Sequence, residues 1–265
     1  MPTTVTTLAP YSDESGNIIE YKGSKDHGRV DVLFVGSNNR LLVHPEAKLR
    51  RLSIRFDCDN GTVEVGANPR NRNLELSIRV GQDATIRLGD DVSTTSVAVL
   101  SAVEGTTITV GNDVMFASAN QLRGDDGHPI FDVRTGARVN HAADITIGDH
   151  VWMGREACAL GGATIGSGTV IGYRSLVTGN IPNNVVAVGT PARVVRRDIA
   201  WERPHLSLVK PYYKPDSSTI PRSEAFWNLT EDSTGSDRAR TAARPHSRGR
   251  LRNAVRAFGK AWSSR

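Results

Sequence analysis

The sequence predicts an all-β solenoid, a parallel β-helix with one protruding loop and a C-terminal extension, and three observations lead there. An aliphatic–Gly–polar signature recurs along the chain, its period settles to six in the C-terminal half, and one interval between signatures is too long for the repeat. The signature reads Val65-Gly66-Ala67-Asn68, Val80-Gly81-Gln82-Asp83, Leu88-Gly89-Asp90-Asp91, Val110-Gly111-Asn112-Asp113, Ile147-Gly148-Asp149-His150 and Ile165-Gly166-Ser167-Gly168. Upstream, its spacings of fifteen, eight and twenty-two fit a six-residue register only with slips.

The period is sharpest over residues 145–190. Ile147, Met153, Ala159, Ile165, Ile171 and Val177 fall at every sixth position, with Gly at 148, 154, 166 and 172. Three such repeats make one coil with three short strands and three corners. Ile147 then stacks under Ile165, Met153 under Ile171 and Ala159 under Val177, at the spacing of about 4.8 Å between paired strands. Each coil bonds only to its neighbours, so columns of like side chains fill a quasi-one-dimensional core. Gly after the aliphatic position permits the tight corner, and Asp, Asn or Ser supplies the turn hydrogen bonds. An antiparallel sandwich would place its turns at irregular intervals of roughly 8–12 residues.

The long interval runs from Val110 to Ile147, thirty-seven positions where one coil of three repeats takes eighteen. The excess of nineteen is expected to leave the solenoid as a polar, Gly-rich loop over residues 117–141 that contains His128. Loops of this length inside compact repeats usually carry function. Residues 1–25 are polar and aperiodic and predict disorder. The solenoid is expected over 26–197. Residues 198–230 hold four prolines with Trp201, Tyr212, Tyr213 and Trp227, and predict an extended segment packed on the solenoid by its rings. Residues 231–265 form a basic tail, in which Leu251, Val255, Phe258 and Trp262 fall at the spacing of an amphipathic helix over 249–262.

Charge separates the body from this tail. From Ser236 to Arg265 there are nine Lys/Arg and one Asp, so of the net +5 the rest of the chain carries −3. A mildly acidic body argues against a nucleic-acid-binding core. The basic amphipathic tail suits peripheral contact with an anionic membrane surface. Cys58 and Cys158 match no zinc or redox spacing and read as small buried residues in a reducing compartment. The N-terminal stretch has no basic region followed by an apolar one, and no apolar run is long enough to span a bilayer. A cytoplasmic protein, peripheral to the membrane at most, is expected.

The stretches GDDGHPIFD, IGDHVWMG and IGSGTVIGYRSLVTGNIPNNVVAVGTPARVVRR resemble the hexapeptide-repeat acyltransferases of the left-handed parallel β-helix class. Similarity is strongest over residues 105–200 and runs to galactoside and maltose acetyltransferases. The N-terminal phrases look most like O-acetyltransferases of capsule and lipopolysaccharide clusters. The resemblance implies acetyl-CoA as donor, a sugar hydroxyl of a surface polysaccharide as acceptor, and a homotrimer with sites between adjacent prisms. It implies that His128 is the general base, a task that suits an imidazole titrating near neutrality. Asp126, or Asp125, would fix its tautomer. Trp152 would line the cleft near the thiol end of CoA.

Carried over position by position, Arg155 stands where a small residue meets the pantetheine arm, and Tyr173 replaces an Ala, where it narrows the groove or faces the acceptor. Thr178 matches a pantetheine-binding position, and Gly179 stands where Lys is common. Arg193 and Arg196 match the basic pair that reaches the CoA phosphates, a role suited to forked guanidinium groups. No metal is expected. A zinc hydratase on the same scaffold is the alternative enzyme, although intervals of thirteen and nine between His128, His141 and His150 depart from its His-x4-His spacing. A non-catalytic scaffold is the other alternative.

Overall fold

The structure is a computed structural model that describes residues 2–210 and 213–231. The expected basic tail and its amphipathic helix lie outside the described residues. The chain forms a left-handed parallel β-helix of about seven turns. Two sheets run its length and a third joins part-way. Sheet A stacks the strands Arg29–Phe34, Arg51–Phe56, Glu75–Val80, Ala98–Ala102, Gln121–Arg123, Cys158–Leu160 and Leu176–Val177. Sheet B runs in parallel from Ile18–Tyr21 to Asn180–Ile181. Sheet C begins only at Ser93–Thr94 and continues through Met115–Phe116, Trp152–Met153, Val170–Ile171 and Val186–Gly189.

Strand register confirms the columns set by the six-residue period: Ile147 pairs with Ile165, Met153 with Ile171 and Ala159 with Val177. All six side chains are buried. Upstream, the apparent slips turn out to be a second, longer repeat. Ile18, Arg40, Thr62, Thr85 and Thr107 stack in register, each twenty-two or twenty-three positions after the last. Through the first of these coils the third side is irregular chain, along which Ala47, Leu49 and Leu74 still turn inward.

One inward column of sheet A records the change in girth. It reads Phe34, Phe56, Val80 and Ala102, and in the next two coils the residues just past the strands Gln121–Arg123 and Cys158–Leu160 are Gly124 and Gly161. The wide end is filled by rings, with Tyr11 stacked on Phe34 at 5.8 Å and Phe34 on Phe56 at 5.1 Å.

Two expectations are corrected. The stretch expected to be disordered is folded from residue 2 on: Thr3–Val5 pairs antiparallel with the first strand of sheet A, Tyr11–Ser12 pairs with Ile18–Tyr21, and Leu8 is buried. A cap needs an apolar inner face only, so its composition stays polar while it closes the open end of the core. The loop begins later than 117, because Asn120 is fully buried with its amide on the carbonyls of Gly154 and Ala157, and Gln121–Arg123 is a rung of sheet A. Arg123 pairs with Leu160 and Thr146 with Thr164, so the chain takes twenty-three steps where the next coil takes four, which returns the excess of nineteen. The excess lies within residues 124–144. Cys58 and Cys158 are free and only half buried, with burial pushing the Cys158 thiol up.

Candidate active site

The corners of the prism dictate where functional side chains stand. A tight corner needs one residue in the left-handed region, which Asp, Asn and Gly reach at little cost. At the corner between sheets B and C this column is Asp91, Asp113, His150, Gly168 and Asn184, all at positive φ. At the corner between C and A, Ala119, Glu156 and Arg174 do the same. The loop leaves from the remaining corner, between A and B, beside Gly124 and Gly161.

Loop residues 124–144 fold as a narrow hairpin. Phe131 and Arg138 form an isolated antiparallel bridge, Val139 donates to the Ile130 carbonyl, and the Asp132 carboxylate caps the tip through the amides of Arg134 and Thr135. Arg138 ties the stem to the coil beneath through Glu104 at 2.8 Å, and this ion pair holds the Glu104 carboxyl below its ordinary value. Ile130, Phe131, Val133 and Val139 are exposed, Val133 at 98%.

His128 is exposed on the first limb of this hairpin. Its carbonyl accepts from Asn140 Nδ2 at 2.8 Å, and the same amide donates to Asp126 Oδ2 at 3.0 Å. Asp126 therefore meets the brace of the His128 backbone. Asp125 is buried at the loop base, on Ser101, Arg79 and the Gly127 amide.

The other predicted residues stand elsewhere. Trp152 lies in an outward column of sheet C, Ser93–Met115–Trp152–Val170–Val186, with Arg196 of the final antiparallel strand at its end. Trp152 is 38% exposed and backed by Trp201 at 5.8 Å. Arg193 and Arg196 lie exposed on the strand Ala192–Arg196. Arg155 and Tyr173 stand at the corner between C and A, where Arg155 pairs with Glu156 at 3.1 Å and Arg174 lies 5.0 Å over the Tyr173 ring. Thr178 follows Val177 at the loop's own corner, two coils on, and a Cβ at Gly179 would meet open space. Within one chain, then, His128 leaves from an edge of the prism and Trp152 lies on the face opposite. Thr178 alone of the predicted donor-binding residues shares the loop's edge.

His150 is a site that corner logic does not anticipate, since the column otherwise holds Asp, Asn and Gly. Its ring is buried between Trp201 and Phe226, at 4.1 and 4.6 Å. Nδ1 meets Asp113 at 2.6 Å and Nε2 meets the Trp201 carbonyl at 2.9 Å. Arg203 and Arg72 also close on Asp113, at 2.8 and 2.7 Å. Burial raises the Asp113 carboxyl, yet the His150 bond and the two guanidinium groups outweigh it and hold it below its ordinary value. Residues 198–203 thus climb back over the B–C corner as a strap. Both ring nitrogens of His150 are taken up by contacts within the fold. Among the described residues no three His, Cys, Asp or Glu side chains are grouped to hold one.

This scaffold has solved relatives. The crystal structure of the polySia specific acetyltransferase NeuO superposes with a TM-score of 0.68 at 31% identity, covering 73% of this chain and 88% of that one. The chain belongs to the hexapeptide-repeat acetyltransferases. No family model matches it. The polysialic acid O-acetyltransferase of Escherichia coli O1:K1 / APEC is 34% identical over 124 residues, 47% of this chain and 38% of that protein. The polysialic acid O-acetyltransferase of Neisseria meningitidis is 29% identical over 153 residues, 57% of this chain and 70% of that one. The chain thus spans well under half the length of the E. coli relative. No helix among the described residues is long and apolar enough to cross a membrane.

Proposed function

We propose that this chain is an acetyl-CoA-dependent O-acetyltransferase that modifies a sugar hydroxyl of a surface polysaccharide or its precursor, with His128 as general base. The observation that carries the reading is the placement of His128 on a braced hairpin thrown clear of the solenoid. The similarity to polysialic acid O-acetyltransferases supports a polysaccharide acceptor.

The chain's own groups fit the donor. The apolar column Met115–Trp152–Val170–Val186 offers a floor for the pantetheine arm, and Arg193 and Arg196 at its end offer forked contacts to phosphates. Arg155, Tyr173 and Thr178 would flank the arm. Neutral His128 takes the proton of the acceptor hydroxyl as its oxygen bonds to the thioester carbonyl carbon. The resulting imidazolium returns the proton to the departing thiolate, leaving an O-acetyl sugar and free thiol.

Because His128 and the Trp152 column lie on opposite sides of one prism, the site forms between subunits of a homotrimer. The exposed apolar side chains of the hairpin would pack on the neighbouring chain. The arginine-rich sequence beyond residue 231 would hold the enzyme peripherally at an anionic membrane, on the cytoplasmic side where acetyl-CoA is made. Labelled acetyl-CoA incubated with purified protein and a panel of capsular polysaccharides should yield polymer-bound, alkali-labile label. Absence of transfer to every carbohydrate tested, together with no thermal shift on adding CoA, would remove the reading in favour of a non-catalytic scaffold.

A further inference from the structure

Two aspartates precede His128, and the fold treats them differently. Asp126 is exposed and touches only the Asn140 amide. The Asp125 side chain is 5% exposed and sits where the chain turns out of sheet A into the hairpin. Its Oδ2 accepts from the Ser101 hydroxyl at 2.6 Å; its Oδ1 accepts from the Gly127 amide at 2.9 Å and from Arg79 at 3.4 Å.

Arg79, Ser101 and Arg123 are successive rungs of one outward column of sheet A. The carboxylate therefore fastens the coil that launches the hairpin to the two coils beneath it. Arg79 is itself held by Asp57 at 2.6 Å, and Asp57 also receives Arg55. Burial raises the Asp57 carboxyl, but the Arg79 and Arg55 bonds outweigh it and keep it ionised below its ordinary range. A line of alternating charge, Arg55–Asp57–Arg79–Asp125, thus ends on the amide of Gly127. That residue takes φ +76°, and the next is His128.

A carboxylate sealed from water with a buried hydroxyl, a guanidinium and an amide aimed at it is costly to disturb, because each lost partner leaves a desolvated group behind. We propose that Asp125 is the positioning residue of the site. It acts through Gly127 to fix the backbone direction in which the His128 ring is presented, and Arg79 and Ser101 fix Asp125 in turn. The sequence offered Asp126 and Asp125 as partners for the ring itself. The geometry assigns Asp125 to the hinge below it. This inference rests on His128 being the base, and its test separates the two.

Asp125→Asn keeps size and burial while exchanging one acceptor for a donor that faces Ser101 or Arg79. The full-length protein carrying it should lose about 10- to 100-fold in kcat with KM for acetyl-CoA unchanged, since misplacement of a catalytic group acts on the chemical step and not on donor binding. Asp31→Asn, a partly exposed carboxylate on the first strand of sheet A and away from the site, should stay within about threefold of wild type. Amide exchange at Gly127 and Ile130, whose N–H groups are held by Asp125 and Asn140, should quicken in Asp125→Asn and remain slow in Asp31→Asn. If Asp125→Asn fails to fold, Ser101→Ala, which removes one bond only, should show the same split in smaller measure.

Wild-type kcat in Asp125→Asn beside an inactive His128→Ala would overturn the positioning role and leave the base assignment standing. Activity in His128→Ala would overturn the base assignment instead. The hinge would then be judged by exchange alone, with unchanged exchange at Gly127 counting against it.

Discussion

The wide and narrow halves of the solenoid use the same two sheets for different ends. Upstream coils, twenty-two or twenty-three positions around, enclose phenylalanine rings and carry none of the predicted site residues. Downstream coils, sixteen or eighteen positions around, enclose alanine, valine, isoleucine and methionine, and carry nearly all of them. The transition is written in one column, where side chains shrink from Phe34 and Phe56 through Val80 to Ala102, with glycines 124 and 161 just past the strands that follow. At the first glycine the chain no longer has a side chain to bury at that corner, and there the hairpin departs. The proposed site thus stands on the half whose core is thin, away from the stacked rings.

This contrast can be broken from either end. The largest stability loss is expected for Phe56→Ala, which empties a fully buried ring position and should cost about 3–5 kcal/mol in chemical denaturation. Donor binding, which we assign to the other half, should persist while the fold does. Weakened CoA binding out of proportion to stability would show the halves to be coupled.

His150→Ala removes the ring stacked between Trp201 and Phe226 and leaves Asp113 without one partner. A loss of roughly 2–3 kcal/mol is expected, as for other broken buried networks, with a change in tryptophan emission as the strap loosens. The strap also predicts a pH dependence. A carboxyl held below its ordinary value in the folded state stabilises fully above the unfolded value, about 3.9 for Asp. That contribution is lost as pH falls through the depressed folded value. Asp113 and Glu202 both behave this way, Glu202 because its bonds from Ser223 and Trp227 outweigh its burial. The strap should therefore loosen, and tryptophan emission shift, as pH falls below about 4. Emission unchanged down to about pH 2 would contradict this.

The smallest effects lie among the glycines. A Cβ at Gly161 would stand 2.9 Å from the Gly124 carbonyl oxygen, so Gly161→Ala must move the base of the hairpin, at about 1–2 kcal/mol. Transfer should fall by more than stability does. At Gly179 a Cβ meets nothing, and Gly179→Ala should change stability by less than about 0.5 kcal/mol. Equal effects at the two positions would show that the column does not set the loop.

The narrow half was legible in the sequence because a coil of three six-residue repeats has no slack. Every sixth side chain must turn inward, and the length of the loop followed by subtraction. The wide half obeys a longer period that a six-residue template reads as slips, since its irregular third side absorbs chain without fixed spacing. The cap over residues 2–21 was hidden by its polar outer face. The loop was placed too early because Asn120 and Gln121 look like loop residues, while Asn120 in fact satisfies two buried carbonyls. The Asp125 hinge and the His150 strap join residues more than twenty positions apart, which no local pattern reveals. A histidine in a corner column of Asp, Asn and Gly, and a doubled Asp before His128, were the available signals.

If the hairpin edge of one prism and the Trp152 face of another make each site, mixed trimers will reveal it. His128→Ala alone and the double variant Trp152→Ala/Arg196→Glu alone should each be inactive in acetyl transfer. Unfolded or dissociated together and reassembled in equal amounts, they should recover about a quarter of wild-type activity, the share of interfaces that pair an intact hairpin with an intact face in a random threefold assembly. Mixed trimers that form but stay inactive would contradict the account, and would place the whole site within a single chain.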